Sequence, residues 1–300
     1  MKIKYAFKSI GLTKRIACRK RELSIRENFI INSCKPFIVT KSYLILAYAI
    51  TPVHVGMGRA PGVVDLPFQR DSIGYPIVYG SSFKGVLKST LMSKDNKLAK
   101  CVFGAEPEDS EKYMGRFIVT DFIPVFYPIA SLDGYVYVST DYLIKKAEDI
   151  LSVVRGGTNN NIYNKNNKGE EVNILLGRLK SPYTLTLTET VKGIGSLIKD
   201  KVYVFDNDVG LQVIESSLIR VTRNVLNDET KTSQNLWTEE YLPQGTIFIG
   251  GIIDAERTNE LCKDVGDVDN ILRKNLDNIS VFLGGKETIG KGLVRIKVIS

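Results

Sequence analysis

From Tyr43 to Ile50 the chain reads YLILAYAI, an apolar stretch with no polar interruption. A run that short and that continuous suits a strand buried on both faces better than an amphipathic helix, whose apolar positions would recur every three or four residues. Shorter apolar or alternating runs at Phe117–Pro128, Tyr135–Ser139, Tyr183–Glu189, Val202–Phe205, Leu211–Arg223, Thr246–Ile253 and Leu293–Ile299 also read as strands. Helical periodicity marks Asp141–Val154 and Val268–Leu276, and Ser81 or Ser82 stands where it would cap a helix running through Val86, Leu87 and Leu91. Between these lie polar stretches: a loop from Thr51 to Pro76, an Asn-rich tract at Gly156–Gly169 read as a long loop or disordered insertion, the acidic turn Asp206–Asn207–Asp208, and a turn-rich segment Asn224–Thr238. Strands and helices are mixed without a repeating period, so the expected class is α+β in one elaborated domain.

Composition narrows the picture only at the N-terminus. The 300 residues carry a formal charge of +8, yet residues 1–38 hold ten basic and two acidic side chains, which leaves 31 of each sign in residues 39–300. An RNA or DNA site in the body must therefore come from local placement of cations and backbone donors rather than from an overall positive field. Residues 1–38 lack the apolar core of a secretory signal and are read as a basic N-terminal extension, outside the mature domain of residues 39–300. No window approaches the roughly 20 apolar residues of a membrane-spanning helix, so no membrane is expected as a partner. The four cysteines form no CxxC pair; a chain of this size does not need disulfide staples, and a reducing, cytoplasmic setting is the plain reading.

Candidate chemistry sits in three glycine-bearing clusters. The first runs from His54 through Gly56 and Gly58 to Asp65, Pro67 and Arg70. Glycines there let the backbone lie against a ligand, and His54, the single histidine, rules out a His-rich metal site built from this chain alone. Asp65 by itself is better explained by a turn in which its carboxylate bonds nearby backbone. The second cluster, Gly80-Ser81-Ser82-Phe83-Lys84-Gly85, puts hydroxyls, a lysine and helix N-terminal N–H groups together, which suits phosphate, although the spacing is not that of a nucleotide P-loop. The third, Leu283-Gly284-Gly285 to Gly290-Lys291-Gly292, is a flexible loop with cations. Three such loops at distant points suggest one extended surface for a polyanion.

Together, TPVHVGMG, GVVDLPFQRD, GYPIVYGSSFKG and FLGGKETIGKGLVRI resemble the RAMP superfamily, and DLPFQR in particular resembles the backbone nuclease subunit of type III-B (Cmr) CRISPR complexes. The resemblance covers residues 42–300. It implies a ferredoxin-like, RRM-related core with an inserted thumb hairpin at about 220–243, stacked in copies along CRISPR RNA beside other Cmr subunits. It implies Asp65 as the catalytic acid that cuts target single-stranded RNA, supported by His54, Glu239 and Tyr241. A divalent cation, Mg2+ or Mn2+, would be held by Asp65. RNA would be gripped by Gly56, Gly58, Arg70, Ser81, Ser82, Lys84, Lys88, Arg220, Arg223, Gly284, Gly285 and Lys291; Lys88 departs from the arginine common among relatives and lacks its bidentate fork. Three rivals stand beside this reading: a scaffold subunit that binds guide RNA without cutting, a stand-alone endoribonuclease that processes precursor transcripts, and a purely structural oligomer.

Overall fold

The apolar run becomes the strand around which the sheet is built. In the computed structural model, β1 (Lys41–Ala49) is followed by α1 (Gly80–Met92), α2 (Asn96–Phe103), β2 (Phe117–Val119), β3 (Ile123–Ser131), β4 (Gly134–Thr140) and α3 (Asp141–Val154). The middle of the chain gives β5 (Tyr163–Asn166), β6 (Glu170–Ile174), β7 (Gly177–Ser181), β8 (Tyr183–Leu187), α4 (Glu189–Lys192), β9 (Lys201–Phe205) and α5 (Asn207–Ser217). Then come β10 (Ile219–Leu226), β11 (Ser233–Tyr241), β12 (Ile247–Asp254), α6 (Val268–Leu276), β13 (Ile279–Phe282) and β14 (Leu293–Ile299). The structure describes residues 41–59, 62, 64–110, 112–132, 134–154, 162–257, 262 and 266–299. The basic segment 1–38, and its reading as upstream sequence, lies outside the described residues.

The main sheet runs β13-β14-β1-β12-β3-β4-β9-β8-β5. β1 is flanked antiparallel by β12 and β14, which explains its unbroken apolar run: from Tyr43 to Ala49 every residue is buried. β4 and β9 form a parallel pair in this otherwise antiparallel path. Helix α3 packs against β1, β3 and β12. Gly250 and Gly251 sit mid-strand in β12 because a side chain would collide there: a Cβ would meet the Phe122 ring at 2.7 Å at the first and Val154 Cγ2 at 2.6 Å at the second. Phe122 in turn stacks on Phe83 of α1 with centroids 3.5 Å apart, which fixes that helix to the sheet. The α+β class is as the pattern predicts.

Several expected elements change. Leu211–Arg223 is not one strand: Asn207–Ser217 is helix α5, with Val213, Ile214 and Ser217 buried at helical spacing, and the strand begins at Ile219. Asn224–Thr238 is not mainly turn: β10 and β11 form a two-stranded antiparallel hairpin separate from the main sheet, exposed toward its tip and buried at the Glu239–Tyr241 end. Neither Ser81 nor Ser82 caps α1; Tyr79 is the N-cap residue and the Gly80 N–H is taken by Asp121 Oδ1 at 2.7 Å. Phe117–Pro128 is broken into β2 and β3, and part of the Asn-rich tract, Tyr163–Asn166, pairs as strand β5. Cys101 and Cys262 form a disulfide, against the expectation that no staple is needed.

Candidate nucleic-acid interface and its acidic centre

The first and third glycine clusters are brought together by backbone pairing beyond the end of β1. Val53 exchanges hydrogen bonds with Leu242, at 3.0 and 2.9 Å, His54 bridges Gly284, and Gly56 bridges Phe68. The approach at Gly284 demands glycine: its φ is +85° and a Cβ would stand 2.1 Å from the His54 carbonyl oxygen. The Gly285 N–H then donates to the same oxygen at 2.9 Å. The second cluster adjoins through Tyr79, whose hydroxyl donates to the Arg70 carbonyl at 3.0 Å.

Asp65 is exposed at the rim of this junction. Leu66 bridges Glu239 of β11, and the carboxylate is clamped to the neighbouring Thr238: Thr238 N–H and Oγ1 both donate to Asp65 Oδ2, at 2.7 and 2.9 Å. The Thr238 N–H bond, followed by the hydroxyl bond, holds the Asp65 carboxyl below the usual carboxylate range, and Arg59 adds a weaker pull in the same direction. It is ionised at neutral pH.

Alternation along β11 sorts its side chains into two clusters. On one face, Glu239 accepts from Trp237 Nε1 at 2.7 Å and from the Tyr241 hydroxyl, and pairs with Lys286 at 2.7 Å and Arg223 at 3.3 Å. Burial alone would push its carboxyl up; the Lys286 ion pair and the Tyr241 and Trp237 hydrogen bonds outweigh that and bring it down to about 2. Lys291 lies over the Tyr241 ring, 5.7 Å from its centroid. Two cations thus pair with one carboxylate while a third stands over the neighbouring Tyr241 ring, an excess suited to phosphate. His54, 6% exposed, packs against Tyr241 with ring centroids 5.3 Å apart. Its Nδ1 faces the Glu240 carbonyl at 2.6 Å; a carbonyl only accepts, so Nδ1 carries the proton and Nε2 is left as an acceptor in the neutral ring. Nε2 lies over Gly56, where a Cβ would come within 2.8 Å.

On the other face, Glu240 and Glu215 of α5 form a closed quartet with Arg70 and Arg220. Arg70 pairs with Glu240 at 2.7 Å and with Glu215; Arg220 pairs with Glu215 at 2.8 Å and Glu240 at 3.3 Å. Arg70 and Arg220, two of the three arginines named as RNA contacts, are therefore engaged in anchoring the hairpin base, with Arg220 the more exposed of the two. Lys88 is likewise engaged, by Glu106. Among the described residues Lys84 has no acidic partner: with Ser81 and Arg257 it lines a cavity of about 590 Å³ whose walls include Tyr113 and Phe117. Burial, with the fields of Lys88 and Arg257, lowers the Lys84 pKa, the mark of a cation short of counter-charge. Gly58 is exposed with φ +93°, and Ser82 is half-buried in the first turn of α1.

Sequence reasoning singled out Asp65, His54, Glu239 and Tyr241, and the last three meet in one cluster with Asp65 one β11 residue away at Thr238. It passed over Thr238, Trp237, Glu240 and Lys286. Lys286 carried a signal, a cation inside a glycine loop, and it adopts the left-handed conformation at φ +71°. Among the described residues no group of three His, Cys, Asp or Glu side chains is placed to hold a metal ion. Asp65 offers one carboxylate, with Oδ2 already held by Thr238.

The sequence model of the RAMP superfamily matches residues 47–295. The chain is 29% identical over 285 residues to the CRISPR system Cmr endoribonuclease Cmr4 of Pyrococcus furiosus, covering 85% of this chain and 95% of that protein. Among solved structures it is similar to a chain of the type III-B Cmr-beta cryo-EM structure in the apo state, with a TM-score of 0.68, 25% identity and coverage of 88% and 99% of the two chains. It is similar as well to a chain of the type III-B Cmr-beta bound to cognate target RNA, with a TM-score of 0.65, 26% identity and coverage of 88% and 98%.

Proposed function

The chain belongs to the RAMP superfamily, and on that premise we propose that it is the repeating backbone subunit of a type III-B CRISPR RNA-silencing complex. In this reading it binds CRISPR RNA along its backbone, packs against further copies of itself and other Cmr subunits, and cleaves complementary target RNA at regular intervals as a cytoplasmic endoribonuclease. The observation that carries it is the junction where Asp65 is clamped to β11 beside the Glu239, Lys286 and Arg223 cluster.

The roles follow from the chemistry of the groups. An ionised Asp65 accepts the hydrogen bond of a ribose 2′-hydroxyl and aligns it for attack on the adjacent phosphate. Lys286, Arg223 and Lys291 supply positive charge toward phosphate oxygens, while Glu239 holds the first two in place. His54, with Nδ1–H committed to Glu240, presents Nε2 as an acceptor. Lys84 and Ser81 at the cavity beside α1 grip guide phosphates.

Cleavage is proposed to need Mg2+ or Mn2+. Among the described residues no three-ligand cluster stands at Asp65, so the ion would arrive with the RNA, held by Asp65 together with phosphate oxygens and water. When bound it would neutralise charge on the scissile phosphate.

A non-cutting scaffold is the alternative, favoured by the fact that the Asp65–Thr238 clamp would also serve to fix a loop. Target-RNA cleavage by an assembled complex carrying Asp65→Asn separates the two: loss of cutting with retained target binding supports catalysis, and unchanged regular cutting makes the chain a scaffold.

A further inference from the structure

The carboxylate just described stands on an exposed loop, where an aspartate ordinarily samples several rotamers. Here it does not hang free. The Asp65 N–H donates to Thr238 Oγ1 at 2.9 Å, the same hydroxyl donates back to Asp65 Oδ2 at 2.9 Å, and the Thr238 N–H reaches Oδ2 at 2.7 Å. Leu66 extends the register, its N–H bonding the Thr238 carbonyl at 3.0 Å and its carbonyl accepting from the Glu240 N–H at 3.1 Å. Both donors converge on one oxygen, Oδ2, which leaves Oδ1 as the oxygen not held by Thr238.

We propose that Thr238 is the positioning residue of the acidic centre: its hydroxyl and N–H clamp Asp65 so that Oδ1 meets the RNA in one orientation. This rests on the reading of Asp65 as the catalytic acid. Thr238 lies in β11, the arm that runs out to the hairpin tip, so the aim of the carboxylate is tied to the position of the hairpin itself. A loop-fixing threonine would need one of these bonds; the reciprocal hydroxyl pair bonded to the acid's own oxygen is the feature that points to alignment. Glu239 and Glu240, which flank Thr238 in β11, are each turned into their own ion-pair cluster.

The test is single-turnover cleavage of target RNA by the assembled complex, with Thr238→Val, Thr238→Ser and Asp65→Asn compared with the parent chain in rate and in target affinity. Valine keeps the shape and the strand preference and removes only the hydroxyl. Thr238→Val is expected to cut more slowly on the order of tenfold, the scale of one charge-assisted hydrogen bond, with target affinity unchanged. Thr238→Ser should restore the rate. If Thr238→Val cuts at the parent rate while Asp65→Asn is dead, the positioning role is wrong and the catalytic reading stands. Equal impairment of the valine and serine variants also overturns it, as a structural effect. Parent-like cutting by Asp65→Asn removes the catalytic reading and this inference with it.

Discussion

Replacing Gly284 with alanine and comparing the result with alanine at Gly290 measures how firmly the two glycine loops are docked. Both residues have positive φ, +85° and +73°, so both variants carry the left-handed cost of about 1–2 kcal/mol for a residue with a Cβ. They differ in space. A Cβ at Gly290 meets nothing within 4 Å, whereas one at Gly284 stands 2.1 Å from the His54 oxygen. Relief needs the loop to move by roughly an ångström, which breaks the Gly285 N–H bond to His54 O and leaves a mostly buried carbonyl short of its partner. A buried group left unsatisfied costs about 1–3 kcal/mol. Gly284→Ala should therefore be less stable than Gly290→Ala by about 1–3 kcal/mol, read as the difference in urea midpoints at equal slope. The same displacement carries Lys286 away from Glu239, so Gly284→Ala should also lose target cleavage while Gly290→Ala retains it. Equal midpoints for the two variants would refute the docking described here.

Two further outcomes follow from the same geometry. Glu239, held at about 2 against an ordinary value of 4.5, contributes stability that is present above pH 4.5 and is lost as pH falls toward 2. Acid titration of the parent chain, followed by Trp237 fluorescence, should show a loss in that window that Glu239→Gln lacks; identical curves would contradict the ion-pair cluster. The Cys101–Cys262 bond closes a span of 161 residues, for which chain entropy gives a stabilisation of about 4–5 kcal/mol, so reductant should lower the denaturation midpoint of the parent chain and leave Cys101→Ser unaffected.

Much of the sheet was legible because burial writes itself into the pattern. The unbroken run of β1, the periodic helices Asp141–Val154 and Val268–Leu276, and the closing strand Leu293–Ile299 all read directly from their apolar positions. The β10–β11 hairpin was implied by the family resemblance but did not read from the pattern, because its outer half is polar and exposed and so reads as turn. Helix α5 was hidden by Val213 and Ile214, β-branched residues adjacent to a true strand at Ile219 and Val221. At the site, glycines signalled where the backbone would come close, since that need is local. The partners of Asp65 and Glu239 were not legible: Thr238 is 173 positions from Asp65, and only the register of β11 against Leu66 brings the two together. Arg70 and Arg220 read as RNA contacts because a sequence shows their charge and not the glutamates that occupy it.

The central claim is that Asp65, on the loop clamped to β11, is where target RNA is cut. The measurement that tests it most directly is the single-turnover rate of target cleavage at every regularly spaced site by a complex assembled with Asp65→Asn chains, alongside its target-binding affinity. The account predicts that cutting disappears at all of those sites while target affinity stays at the parent value. Cutting at the parent rate and spacing would contradict it.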